Sequence, residues 1–311
     1  MRGIQRFIAA SIVVTIAASA AHAQNPPSAQ PDGLEIGVRY WLSSGSTTRS
    51  IDATSQDPTF LHPLAEVALN PSATTNYEQL DANIVELFAR TRLGEHGFVK
   101  GTVGLGRINS GTLIDETFFL IADQPFHTMT LSATDGKLGY VTLDVGRTLL
   151  RGRETAFGVF VGYHYWVEKV EAHGFTDAFG DLGLPPDQLF ATNQVSWHAM
   201  RLGGELRVTH GRTRFTIEGA WIPYATYRNE STFQLSSTPN TTATGNGRGG
   251  TFDAEVRRSF PQLGGIDLGL GVRYWKLNGY NGHETFGSLS LPIVSLESER
   301  QGFTFTVAKT W

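Results

Sequence analysis

Few residues in this chain have the type and spacing to do chemistry. Histidines at His127, His173 and His283 lie in polar stretches, where a neutral imidazole could serve as a general base near neutral pH. A lone histidine in a polar stretch is more commonly just solvated. Ser196 and His198 share one face of an extended segment, the arrangement a serine hydrolase needs. Ser-x-His is common in strands, however, and the sequence has no Gly-x-Ser-x-Gly elbow or Ser-His-Asp order. Glu284 adjoins His283 without the further ligands a metal requires. Gly104-Leu105-Gly106 and the run from Gly245 to Gly250 do not join a strand to a helix, so neither forms a phosphate cradle. Cysteine is absent, which excludes disulfides, zinc-thiolate sites and thiol nucleophiles. Neither a metal nor a cofactor is expected.

The elements that must position these residues are marked by four short polar connections. They are Gly94-Glu95-His96-Gly97, Arg151-Gly152-Arg153-Glu154, His210-Gly211-Arg212 and Pro261-Gln262-Leu263-Gly264-Gly265. Links this short join only antiparallel neighbours. Long polar stretches separate one tight turn from the next. Short turns on one side and long loops on the other are the connectivity of an outer-membrane β-barrel. Strands are predicted near 34–43, 80–93, 97–108, 137–150, 155–170, 194–210, 212–226, 251–260, 265–278 and 300–311. The intervening long loops then fall near 44–79, 109–136, 171–193, 227–250 and 279–299. The expected fold is all-β, a ten-stranded antiparallel transmembrane β-barrel with long extracellular loops and short periplasmic turns. An even strand number leaves both termini on the periplasmic side.

Period-2 alternation gives the faces. Leu34, Ile36, Val38, Tyr40 and Leu42 oppose Glu35, Gly37, Arg39 and Trp41. Ile266, Leu268, Leu270, Val272 and Tyr274 oppose Asp267, Gly269, Gly271 and Arg273. In the fifth strand, Tyr163 and Tyr165 fall on the lipid face. The other register collects Arg39, Glu86, Arg90, Asp144, Glu168, Arg201, Glu205, Arg207, Glu218, Asp253, Glu255, Arg257 and Arg273. Charges of both signs on the inner register imply a lumen filled by salt-bridged side chains, because a barrel of about ten strands is narrow. Trp41, Trp221, Trp275 and Trp311 are expected in the interfacial girdles.

The ends of the chain agree. Met1 to Arg6 is basic, Phe7 to Ala20 is apolar, and Ala21-His22-Ala23 is a cleavage motif, so residues 1–23 read as a signal peptide. The apolar stretch is shorter than the roughly 20 residues that span a bilayer as a helix. Residues 24–33, rich in proline, read as a disordered leader, and 34–311 as the barrel. Losing Arg2 and Arg6 moves the formal charge from -4 to -6, so nucleic acid is not an expected partner. The last segment alternates from Phe303 and Phe305 to a terminal Trp311, the closing-strand signal read by barrel assembly machinery. The expected location is the outer membrane of a Gram-negative bacterium, with outer-membrane lipid and that machinery as partners.

Ten strands, outer loops and a charge-packed lumen resemble the omptins, outer-membrane endopeptidases of Gram-negative bacteria. Gly158-Val159-Phe160-Val161-Gly162-Tyr163 looks like the omptin fifth strand. Leu202-Gly203-Gly204 through Phe215-Thr216-Ile217-Glu218-Gly219 looks like the sixth-to-seventh hairpin. The resemblance implies an aspartate pair after the third strand and an Asp-His dyad after the seventh, holding a water between them. Asp115 matches the first aspartate, but Thr117 stands in place of the second, and adjacent Glu116 points the other way by alternation. From Trp221 to Thr251 there is neither His nor Asp. The family's lipopolysaccharide cluster would include Tyr163, but Tyr165 and Val167 stand where charged partners would follow. The sequence therefore predicts a largely non-proteolytic barrel acting through surface loops or passing only small solutes. The alternatives are a divergent omptin-type endopeptidase, with Asp115 as its catalytic carboxylate, and an envelope-structural protein.

Overall fold

A computed structural model describes residues 33–54, 68–121, 124–177, 183–234, 240–287 and 289–311. Residues 1–23, read above as a signal peptide, and nearly all of the stretch read as a leader lie outside the described residues. Ten strands form a closed barrel, each paired antiparallel with its sequence neighbours and the first closed on the last. They are β1 (Glu35–Ile51), β2 (Ala68–Leu93), β3 (Gly97–Ile121), β4 (Gln124–Arg151), β5 (Thr155–Asp177), β6 (Gly183–His210), β7 (Thr213–Phe233), β8 (Thr241–Phe260), β9 (Ile266–Phe286) and β10 (Leu289–Thr310). The four short connections are the turns expected from the sequence. Gly94, Gly211, Gly264 and Gly265 take positive φ there, which only glycine adopts without strain.

The loop boundaries differ from expectation. Most of the stretches taken as long loops continue the strands, so β1 has 17 residues and β4 has 28. A membrane-spanning strand needs about 9–11 residues, so the barrel wall extends well beyond the bilayer. Above the membrane the outward positions turn polar, as in Ser44, Ser46 and Thr48, and the apolar alternation that marks a strand disappears. The backbone ladder persists because its hydrogen bonds do not depend on side-chain polarity.

The lipid belt is legible on the outer wall. Val38, Tyr40, Leu42, Leu143, Val161, Leu270, Phe303 and Phe305 are all exposed and apolar. The belt ends where Leu42 gives way to Ser44 on β1, and Phe303 to Gln301 on β10. Tyr163 is exposed on this face, and Tyr165 packs against His198 there with ring centroids 4.8 Å apart and the planes tilted by 41°. Trp221 and Trp311 are exposed on the wall, in keeping with a girdle. Trp41 and Trp275 are not: both are buried inside the barrel. Their position is a correction, and the alternation itself explains it, since each shares its strand's inner register with an arginine, Arg39 or Arg273.

Above the charged part of the lumen the interior is apolar. Leu80, Ile84, Ile108, Leu113, Trp197, Leu277 and Leu296 are buried together in one cluster. The whole cluster draws residues from all ten strands.

Candidate functional site

The lower lumen holds two adjoining ion-pair clusters. Arg39 reaches Glu86 at 3.1 Å and Glu255 at 3.6 Å. Arg273 pairs with Glu86 and with Asp253, the latter at 2.6 Å. Tyr140 donates its hydroxyl to Glu86, which is fully buried. Arg90 grips both oxygens of Glu205 at 2.6 and 2.7 Å, and Arg207 meets the same carboxylate at 2.8 Å. Arg201 links Glu218 at 2.8 Å to Asp144 at 3.5 Å, and Lys100 joins Glu218, Asp144 and Glu205. Arg257 holds Glu255 at 2.6 Å and Glu35 at 2.7 Å.

Each charge read from the inner register therefore lies in the lumen beside an opposite charge. Sequence reasoning did not count Glu35, Arg214 and Asp267, which belong to the first cluster, or Lys100, which belongs to the second. Glu35 and Asp267 stand on the inner register by simple alternation and could have been found. Glu168 pairs higher up with Arg300 at 2.6 Å, a residue taken only as the start of the last strand.

The outer half holds a second polar constellation, centred on Arg49. Its guanidinium donates to Thr75 Oγ1 at 3.2 Å and to Ser231 Oγ at 3.1 Å, and meets Glu284 Oε1 at 2.8 Å. Thr75 in turn donates to Asp115 Oδ1 at 2.8 Å. On the other side, Ser231 Oγ and Asn229 Nδ2 both donate to Asn193 Oδ1, at 2.9 and 3.0 Å. Arg49 thus ties the Asp115 side of the barrel to the β7 segment that carries Asn229 and Ser231. It lay in a predicted loop, and no local signal marked it as a hub.

Burial sets the charge states here. The Asp115 carboxyl is raised above the usual carboxylate range by burial, against the opposing pull of Thr75 and Arg49. Burial, with Glu284 nearby, pushes the Tyr227 phenol up to about 12, so it is neutral at physiological pH. Burial also raises the Tyr77 phenol.

The candidate bases lie elsewhere. His283 is exposed while Glu284 beside it is buried, so strand alternation separates the two. His173 Nε2 faces Asp135 Oδ1 at 3.7 Å. His127 lies in β4 with its backbone opposite Phe118, and its side chain is outside what is described. Among the described residues no histidine hydrogen-bonds Asp115 or Glu116. His198 Nδ1 shares a 2.5 Å hydrogen bond with Tyr163 Oη, and Ser196 Oγ donates to the Arg228 carbonyl at 3.3 Å. Ser196 and His198 therefore do not form a nucleophile–base pair.

A closed ten-stranded antiparallel barrel with an apolar outer belt and an ion-paired lumen defines a transmembrane β-barrel of omptin-like architecture. The outer membrane protease OmpT from Escherichia coli superposes with a TM-score of 0.72, covering 91% of this chain and 98% of that one at 10% identity. The translocator domain of the autotransporter NalP from Neisseria meningitidis gives a TM-score of 0.41, with 92% and 91% coverage at 12% identity. A Pseudomonas aeruginosa FadL homologue gives 0.31, with 90% of each chain covered at 7% identity. No family model matches the sequence, and no curated protein sequence matches it. At 10% identity the likeness to the protease extends to the fold and no further.

Proposed function

We propose that this chain is an outer-membrane barrel that neither conducts solutes nor cleaves peptides, and that it acts through the long wall it raises above the bilayer. The observation that carries the reading is the place of Arg49. The omptin resemblance puts a water between the Asp115 side and the β7 segment, where carboxylates and a histidine would activate it. In this chain a guanidinium bridges those two sides, bonded to Thr75 and Ser231 and paired with Glu284. A permanent cation there can orient an anion but cannot accept a proton from water. The apolar layer of Leu80, Ile84, Leu277 and Leu296 supports a surface-acting protein over a solute pathway.

The membrane half then serves as an anchor, held by outer-membrane lipid along the apolar belt and assembled through the strand ending at Trp311. Lipopolysaccharide would meet the outer wall near Tyr163 and Tyr165. The protease reading rests on shared architecture and on Asp115, which matches one of the family's catalytic carboxylates.

Refolded protein with lipopolysaccharide present, assayed on dibasic peptides and in planar bilayers, tests both halves. The reading expects no cleavage and no stable single-channel current. Cleavage abolished by Asp115→Asn, or steady conductance from the wild type, would overturn it.

A further inference from the structure

The lipid-facing wall carries a groove near its periplasmic end. Leu270, Leu268 and Ile266 run down its middle on β9. Phe305 on β10 stands opposite Leu270, and Phe260 on β8 stands opposite Ile266, so longer aromatic side chains flank a lower aliphatic floor. The groove has a volume of about 550 Å³ and reaches Tyr40 on β1, a size in the range of small-molecule sites.

Two cations bracket its foot. Arg258 lies opposite Leu268 on the β8 side, and Lys309 lies opposite Ile266 on the β10 side. Their strands are two spacings apart, about 10 Å, a gap that two long side chains can close around one phosphate. Arg212 adds a third charge in the neighbouring turn, where its carbonyl accepts from Ser259 N at 2.9 Å. Arg212 and Arg258 are exposed, and Lys309 is half-buried with Nζ 5.5 Å from the centre of the Trp311 ring.

Unlike the lumen cations, these three have no ion-pair partner among the described residues. The carboxylates of the same strands face inward and are held there, Glu35 and Asp267 by Arg214, and Glu255 by Arg257. Glu154 on the rim faces His210 at 3.4 Å. Trp311 N donates to the Leu34 carbonyl at 3.0 Å, which sets the terminal carboxylate against Gly33. An apolar groove therefore ends, at the membrane surface, in positive charge that the wall does not neutralise.

We infer that this groove seats one anionic glycerophospholipid of the periplasmic leaflet, with an acyl chain along β9 and the phosphodiester between Arg258 and Lys309. Neighbouring lipid tails are as apolar as the groove, so the groove supplies shape and the cations supply selectivity. A zwitterionic headgroup brings its own cation and forfeits part of the attraction. The inference rests on the membrane half being the anchor proposed above, and adds to it one lipid class and one seat.

Two measurements test it. Phe305→Trp keeps an aromatic ring in the groove, and a brominated acyl chain quenches a tryptophan that it touches. The barrel is reconstituted in phosphatidylcholine bilayers, and the quenching added by Phe305→Trp over the parent chain is followed. Brominated phosphatidylglycerol should reach half-maximal quenching at a mole fraction on the order of tenfold lower than brominated phosphatidylcholine. Arg258→Gln with Lys309→Gln should abolish that difference. Arg147→Gln with Arg153→Gln removes as much charge from exposed residues elsewhere on the rim and should preserve it. Equal quenching by the two lipids, or the same loss in both double variants, overturns the inference.

The second measurement uses the unaltered sequence. Native mass spectrometry of the barrel from detergent, with phosphatidylglycerol and phosphatidylethanolamine of identical chains at equal concentration, should show one phosphatidylglycerol retained per chain in preference to the other lipid. Equal retention, or a dimer that carries no lipid, overturns the inference. Either failure in a barrel that is still membrane-inserted strikes the lipid seat alone, whereas a chain that folds and stays soluble without detergent strikes the anchor reading.

Discussion

Arg300 on β10 reaches across the lumen to Glu168 on β5, the strand five places away in either direction around the ring, with Nη2 2.6 Å from Oε2. Arg300 is 1% exposed and also donates to Ser43 Oγ and to the Leu80 carbonyl, at 3.1 and 2.9 Å. The pair is a strut across the barrel just beneath the apolar layer. Losing one partner of a buried pair costs about 3–5 kcal/mol, because the other charge is left uncompensated. Arg300→Ala should therefore lower the urea midpoint by much more than Arg228→Ala, whose guanidinium is 60% exposed. Equal effects in the two variants would refute a structural role for the strut.

The lower network makes a related forecast. Arg273 touches Glu86 and Asp253, so Arg273→Glu sets three carboxylates together in the lumen. That variant should fail to show heat-modifiable migration on gels or should unfold at far lower denaturant. Glu218→Arg, which confronts Lys100 and Arg201, should behave alike. A reversal on the outer wall, such as Glu230→Arg, should leave folding nearly intact.

Asp115 supplies a pH test. Its folded carboxyl is raised by burial, so the folded state keeps the proton to higher pH than the unfolded chain does. The contribution to stability is present at low pH and is lost as pH rises through the folded value. Asp115→Asn removes the charge yet leaves an acceptor for Thr75 Oγ1. Its denaturation midpoint should exceed the wild-type midpoint at neutral pH and converge with it near pH ~3. A lower midpoint at neutral pH would contradict a destabilised carboxylate.

Assembly can be checked at the carboxy-terminus. Phe303, Phe305 and Trp311 face outward and are 65%, 46% and 62% exposed. Deleting Trp311 should reduce recovery in outer-membrane fractions and leave refolding in detergent largely unaffected. A mature chain that is folded and soluble in the periplasm without detergent would exclude the membrane barrel altogether.

Strand count, antiparallel order and inner register were legible in the sequence because each depends on short-range features. Tight turns force neighbours to pair, and alternation over a single strand assigns every side chain to a face. That is why Arg39, Glu86, Arg257 and Arg273 could be placed inside from sequence. Trp41 and Trp275 obeyed the same rule, and only the habit of assigning tryptophan to the interface misplaced them.

Two things depended on the tertiary structure. The wall above the membrane has polar residues on both faces, as in the Thr74-Thr75-Asn76 stretch of β2, so no periodicity announces it. Its hydrogen-bonded ladder exists only once neighbouring strands are in register. The partners across the lumen are the other. Arg49 and Arg300 point inward, and which carboxylate each one meets follows from barrel closure and stagger. Those bring β1 beside β10 and set β10 opposite β5. Contacts such as Arg49 to Ser231, Arg90 to Glu205 and Arg300 to Glu168 join residues more than a hundred positions apart and leave no trace in local sequence.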